Sequence, residues 1–266
     1  MKFCTSYYQN ENIRRKVNEL RWSMYSFTGA IEYSERHPDI RIIVEILNLS
    51  DSRTPSMDTL NNIQQENNQI YYDFYSLDDL IAYADYTQSN HIMYHQPALT
   101  WNLVQILLAY NVSDITIGEP LTFSMNDIEK NIRSLGVNVR VRPYIARNSY
   151  QMKLQNDNGA HHFWILPQHL YLYENYIDVI DLIDDNIARE EGLVNAYTSN
   201  LPYNAYLSTL IQGLNTEVGA QFIDETFVNS RLNCGQYCMK NKNSCHRCDQ
   251  YIKMYDVINL LKKNSN

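Results

Sequence analysis

Apolar positions along this chain alternate between two periods. RIIVEILNL (41–49), QIYYDFYS (69–76), HIMYHQP (91–97), DITIGEPLTF (114–123) and VNVRVRPYI (137–145) are short runs rich in β-branched and aromatic residues, which predicts strands. Between them SMDTLNNIQQEN, LDDLIAYADY, TWNLVQILLAY and SMNDIEKNIRSLG show helical spacing. Ser56 and Thr100 stand where helix caps are expected, and Gly136 stands where a helix should stop. A unit of about 20 to 25 residues therefore repeats, strand then helix. Nearly continuous apolar strands joined by helices predict a parallel sheet covered by those helices.

Four further segments extend the pattern. KFCTSYY (2–8) and SMYSFTG (23–29) precede it; HHFWILPQ (161–168) and YIDVIDLID (176–184) follow, separated by the short helical HLYLYENY. This makes nine candidate strands where a closed barrel needs eight, so one of the first two is expected to be an extra strand or part of a helix. The favoured α/β architecture is a (β/α)8 TIM-like barrel over residues 1–185, with an open doubly wound sheet as the alternative. Residues 186–266 read as a helical extension carrying a four-cysteine segment.

Charges interrupt these strands at regular places. Alternation puts Ile42, Val44 and Ile46 on the helix side and Glu45 inward; the same parity turns Asp73, Arg140, Arg142 and Asp181 into the barrel. Such charges can form a buried ion-pair lattice that fixes register, or they can serve a site. Barrel enzymes place their sites at the C-terminal strand ends, where Glu119, Arg142, Tyr144 and His95 are the candidate catalytic residues. An arginine there can hold a carboxylate or phosphate in a bidentate fork.

The net charge of −8 is unevenly spread. From Arg231 onward there are seven basic and two acidic residues, leaving 15 basic and 28 acidic before it: an acidic body of −13 and a basic tail of +5. Chain length suffices for a core that needs no disulfide staples. No apolar run reaches eighteen residues, and the opening MKFCTSYYQNENIRRK has neither the basic nor the apolar region of a signal peptide. We therefore expect a cytoplasmic protein with no membrane partner, in the host's cytoplasm if the chain is of viral or mobile-element origin. Thiols stay reduced there, which favours metal ligation for Cys234, Cys238, Cys245 and Cys248, spaced C-x3-C-x6-C-x2-C. Four thiolates suit tetrahedral zinc, and an iron–sulfur centre also takes four. Arg231, Tyr237, Lys240, Lys242 and Arg247 surround them as a candidate RNA-contact set. No G-x-G-x-x-G or G-x4-G-K-[ST] run is present.

The run VSDITIGEPLTFSMNDIEKNIRSLGVNVRVRPYIA (112–146) has a strand ending in GEP, a helix and an arginine-bearing strand. It resembles barrels of the peptidase U32 family, and FWILPQHLYLYENYIDVIDLID (163–184) is similar to that family's final segment. The resemblance spans roughly residues 2 to 185. It implies a barrel of the kind found in oxygen-independent hydroxylases of tRNA, rRNA or ubiquinone precursors, several of which carry a four-cysteine [4Fe–4S] centre. That family spreads its cysteines through the barrel, whereas here they follow it in one stretch, so no ligand carries over by position.

Two functional classes remain open at this point. One is an enzyme acting on RNA or a small anionic substrate at the barrel rim; the other is a non-catalytic, zinc-stabilised barrel whose tyrosine-rich surface binds a protein partner. Metal content and visible absorption of protein purified without oxygen separate the metals. One zinc per chain and no visible band is the expected outcome; about four irons with a broad band near ~400 nm would establish the iron–sulfur centre instead.

Overall fold

The computed structural model describes residues 1–6, 11–95, 100–117, 125–141, 165, 167–183 and 187–200. Its eight strands are β1 (Lys2–Ser6), β2 (Glu19–Ser23), β3 (Arg41–Ile46), β4 (Ile70–Phe74), β5 (Ile92–Tyr94), β6 (Asp114–Ile117), β7 (Asn138–Val141) and β8 (Val179–Asp181). They run parallel in chain order and close, β8 pairing with β1. This is the (β/α)8 barrel that the alternating periods predict, and closure excludes the open sheet. Among the described residues no helix is long and apolar enough to cross a membrane.

Two of the nine candidate strands are corrected. SMYSFTG is the end of β2 followed by a 3-10 turn (Met24–Ser26) and the start of the helix Phe27–Arg36. The strand itself lies upstream at ELRWS, where Glu19 and Arg21 face inward and hide the apolar signal. Within HHFWILPQ, Ile165 is buried and Pro167 begins a 3-10 helix to Tyr173, while β7 pairs directly with β8; residues 161–164 lie outside the described set. The helix Ile187–Thr198 packs back on β1, where the Glu190 carboxylate accepts from the Thr5 hydroxyl and from the Ser6 backbone N–H at 2.5 Å.

The cap positions follow the expectation. Ser56 and Thr100 each accept from the backbone N–H three residues on, Thr59 and Leu103, at 3.3 Å. Gly136 ends its 3-10 turn at φ +82°, a conformation that costs a residue with a Cβ about 1–2 kcal/mol.

Outward strand residues such as Ile42, Val44, Ile46, Tyr72, Phe74, Val139 and Ile180 bury against Leu60, Tyr83, Leu107 and Leu193 of the covering helices. Tyrosines serve this layer as large apolar bodies with polar tips. The Tyr72 hydroxyl donates to Leu60 O at 2.9 Å, and that of Tyr83 donates to Gln64 Oε1 at 2.9 Å. Burial pushes both phenols up. Among the described residues Tyr33, Tyr72, Tyr83, Tyr94, Tyr173 and Tyr197 are buried, whereas Tyr25, Tyr86 and Tyr171 are about half exposed.

Inside the barrel the strand registers stack side chains in layers contributed by alternate strands. The lower layer, toward the N-terminal ends, is Glu19, Tyr71, Asp114 and Val179. The middle layer is Cys4, Ile43, Met93 and Arg140. The upper layer is Arg21, Asp73, Thr116 and Asp181. Barrel interiors are ordinarily filled by branched apolar residues, yet half of these positions are charged.

Three guanidiniums hold five carboxylates. Arg140, fully buried in the middle layer, donates downward to Glu19 and to Asp114 (3.4 Å) and upward to Asp181. Below it Arg41 forks onto Asp114 at 2.9 and 2.5 Å, reaches Glu19 at 3.4 Å, and lies 3.5 Å over the Tyr71 ring. Above it Arg21 pairs with Asp73, with Asp181 (3.6 Å) and with Glu45 (3.5 Å). Burial pushes the Asp114 carboxyl up, but Arg41 and Arg140 override it and hold it below the usual carboxylate range. The Cys4 thiol, pushed far up by burial and by Asp181, is a neutral filler of the middle layer.

Removing Arg140 alone would leave three carboxylates facing one another. Arg140→Met is expected to cost about 3–5 kcal/mol by denaturant unfolding, against a much smaller loss if the carboxylates are also replaced by apolar side chains. The carboxyls of Asp73 and Asp114 are depressed in the folded chain, so their contribution is present above the unfolded value near ~3.9 and is lost as pH falls through the folded values. Unfolding free energy measured from pH 7 downward should stay level to about pH 5 and then fall steadily.

Candidate active site

Above the upper layer, at the C-terminal mouth, five side chains close a ring. His95 follows β5 directly and its Nδ1 lies 3.2 Å from Asp73 Oδ2; the same oxygen is held by Arg21. Arg21 also faces Glu45, Glu45 accepts from the Tyr75 hydroxyl at 2.8 Å, and the Tyr75 ring stacks on the His95 imidazole with centroids 4.3 Å apart. The backbone explains the convergence. Glu45 and Asp73 are register partners on β3 and β4, and the His95 N–H donates to Phe74 O at 2.8 Å, so β5 carries its last inward residue beside Asp73.

Electrostatics fix the roles. Burial pushes Asp73 up, and Arg21 together with the His95 hydrogen bond outweighs it, keeping the carboxyl ionised and therefore an acceptor only. An ionised Asp73 can only accept, so the facing Nδ1 of His95 is the nitrogen that donates to it. His95 is partly exposed, its side chain 18 % accessible, and Glu45 is 25 % accessible; Asp73 beneath them is fully buried. A partly exposed imidazole held by a buried carboxylate at a barrel mouth can accept and return a proton. Burial and Glu45 push the Tyr75 phenol up, so it stays protonated and acts as a donor.

Of the four candidate catalytic residues, His95 is placed here. Glu119, Arg142 and Tyr144 lie outside the described residues, as do the four cysteines and the basic residues of the tail. Asp73 and Glu45 are legible in the sequence as inward charges, but their convergence on His95 is not. Arg21 escapes the sequence pattern because its strand lies upstream of the apolar run that suggests one, and Tyr75 because a tyrosine just past a strand looks like any other. Among the described residues no cluster of His, Cys, Asp and Glu side chains is disposed to hold a metal ion.

No protein-family model matches the sequence, and no curated protein does. Several solved structures are similar at low identity. A 3-keto-L-gulonate-6-phosphate decarboxylase from Vibrio cholerae is similar at 10 % identity and a TM-score of 0.45, covering 75 % of this chain and 96 % of that one. The U32 peptidase Mk0906 is similar at 8 % identity and a TM-score of 0.43, covering 70 % and 93 %. A glycerophosphodiester phosphodiesterase from Parabacteroides distasonis is similar at 9 % and 0.41, covering 73 % and 97 %.

The Asp73 contact should be visible in the tautomer of His95. Ring ¹⁵N NMR, assigned by loss of the signals in His95→Gln, should show the neutral ring protonated at Nδ1. Asp73→Asn should turn this into a mixture of the two tautomers, while an unchanged spectrum would mean that the contact does not orient the ring.

Proposed function

We propose that this chain is a barrel enzyme that works by proton transfer at its C-terminal mouth, with His95 as the general acid–base group. Asp73 orients it, Arg21 keeps Asp73 ionised, and Glu45 with Tyr75 forms the opposite wall. The observation that carries this reading is the Asp73–His95 contact at 3.2 Å in a partly exposed imidazole at the strand ends. His95 and Arg21 meet on the same oxygen of Asp73, so the imidazole shares the carboxylate that anchors the upper layer.

The proposal extends to the tail. Cys234, Cys238, Cys245 and Cys248 supply a closed zinc shell that would fold a short segment and leave no open coordination position. Arg231, Tyr237, Lys240, Lys242 and Arg247 would then present that segment to RNA. A hydroxylase of the U32 kind follows only if the tail binds an iron–sulfur centre in place of zinc. An anionic substrate would depend on Arg142, since every described arginine of the interior already faces carboxylates.

The experiment requires no choice of substrate. A small-molecule cell extract incubated with the full chain, with His95→Gln and with buffer is compared by mass spectrometry in D2O. At least one metabolite should be consumed or should gain solvent deuterium with the wild type, and about 10²-fold more slowly or not at all with His95→Gln. No difference between wild type and buffer, or equal conversion by the variant, would sink the assignment.

A further inference from the structure

The upper layer contains a set of buried polar atoms that make no hydrogen bond. Asp73 and Asp181 are fully buried, and Arg21 and Thr116 are 4 % and 7 % exposed. Each has an atom without a hydrogen-bond partner: Asp73 Oδ1, Asp181 Oδ2, Thr116 Oγ1, and Arg21 Nε and Nη2. Buried polar groups in folded proteins are nearly always paired, so four such residues together call for a cause. They come from β2, β4, β6 and β8 and converge on the barrel axis directly beneath Glu45 and His95. Arg21 Nη2 and Asp181 Oδ2 stand 3.6 Å apart, near enough to attract and too far to hydrogen-bond, so both can engage a third atom at once.

We infer that this layer is a subsite for the hydroxyl groups of a neutral vicinal diol that enters from the mouth; the inference rests on the mouth being the active site proposed above. The donor and acceptor inventory makes the selection. Carboxylates only accept, the guanidinium only donates, and the threonine hydroxyl does either. An anion would meet three carboxylates, Glu45 included, against two guanidiniums, Arg21 and the Arg140 that already holds Asp181. An ammonium group would donate to the carboxylates and leave the Arg21 nitrogens without an acceptor. A hydroxyl gives its proton to a carboxylate while its lone pair takes one from Arg21. Two neighbouring hydroxyls serve both aspartates, and Thr116 completes the set. The diol can belong to a free sugar or polyol, or to the ribose of a nucleoside.

Thr116 provides the cleanest variant. Its hydroxyl makes no hydrogen bond in the unliganded chain, so Thr116→Val removes an unmatched polar atom and should leave the apo melting temperature unchanged or higher. Calorimetric titration of the full chain with D-ribose, D-sorbitol, uridine, 2′-deoxyuridine and inorganic phosphate reads the ligand. At least one diol should bind, about fivefold or more weakly to Thr116→Val, and phosphate should not displace it. A ribose of nucleoside origin predicts uridine bound about tenfold or more tightly than 2′-deoxyuridine. A free polyol predicts ribose or sorbitol bound with no advantage for uridine.

Failure of all three diol probes to bind, undiminished binding by Thr116→Val, or displacement by phosphate would overturn the inference. The two proposals fail separately. His95-dependent conversion of a metabolite without diol binding leaves the acid–base reading standing, and Thr116-dependent diol binding without such conversion removes the acid–base reading alone.

Discussion

A guanidinium with no access to water must be surrounded by carboxylates, and this requirement organises the barrel. Arg140 sits at the middle of the axis and ties Glu19 on β2, Asp114 on β6 and Asp181 on β8 to β7. Four strands that are distant in sequence thereby converge on one charge. A one-residue slip of any of them would turn its charge toward the helices and its apolar residues into the lattice, so the register is specified from both sides of the sheet. An apolar filling would hold the barrel as well or better, because desolvating ions is expensive. The lattice therefore contributes uniqueness of pairing more than it contributes stability.

The same network reaches up to the mouth. Arg21 belongs to the lattice through Asp181 and to the mouth through Asp73 and Glu45. Its charge keeps Asp73 ionised, and the ionised Asp73 sets the orientation of His95. Rigid strands hold each of these groups, so the geometry needs no ligand to assemble it. Toward the mouth the pairing becomes incomplete: Arg140 and Arg41 each leave only Nε unmatched, whereas every member of the upper layer has a free polar atom. A lattice that is closed below and open above has a direction, and it points to the end of the barrel where strand-end side chains meet solvent.

Much of this is legible in the chain. The alternation of strand and helix periods in residues 41–145 indicates a parallel α/β fold, and the parity of Glu45, Asp73, Arg140 and Asp181 marks them as inward. Ser56, Thr100 and Gly136 mark helix ends because capping and positive φ are local demands. The second strand is displaced from its expected place for a physical reason. Strand patterns are recognised by apolar residues, and in ELRWS the inward positions Glu19 and Arg21 are charged. The tyrosine content suggests an interface, and the structure places Tyr72, Tyr83 and Tyr197 in the core, where burial supplies an apolar body and a nearby carbonyl or amide takes the hydroxyl.

The sequence by itself determined the alternating periods across residues 41–145, the inward faces of Glu45, Asp73, Arg140 and Asp181, and the grouping of cysteine and basic residues after Arg231. These follow from properties of neighbouring residues, which a chain carries wherever it goes. Only the tertiary structure decided that Asp73 meets His95 and Arg21, that Arg140 joins β2, β6, β7 and β8, and that the upper layer is left with unmatched polar atoms. Those relations depend on barrel closure and on the offset between successive strands, which bring Glu19 and Arg140, 121 positions apart, into one hydrogen bond. No local pattern encodes such a distance.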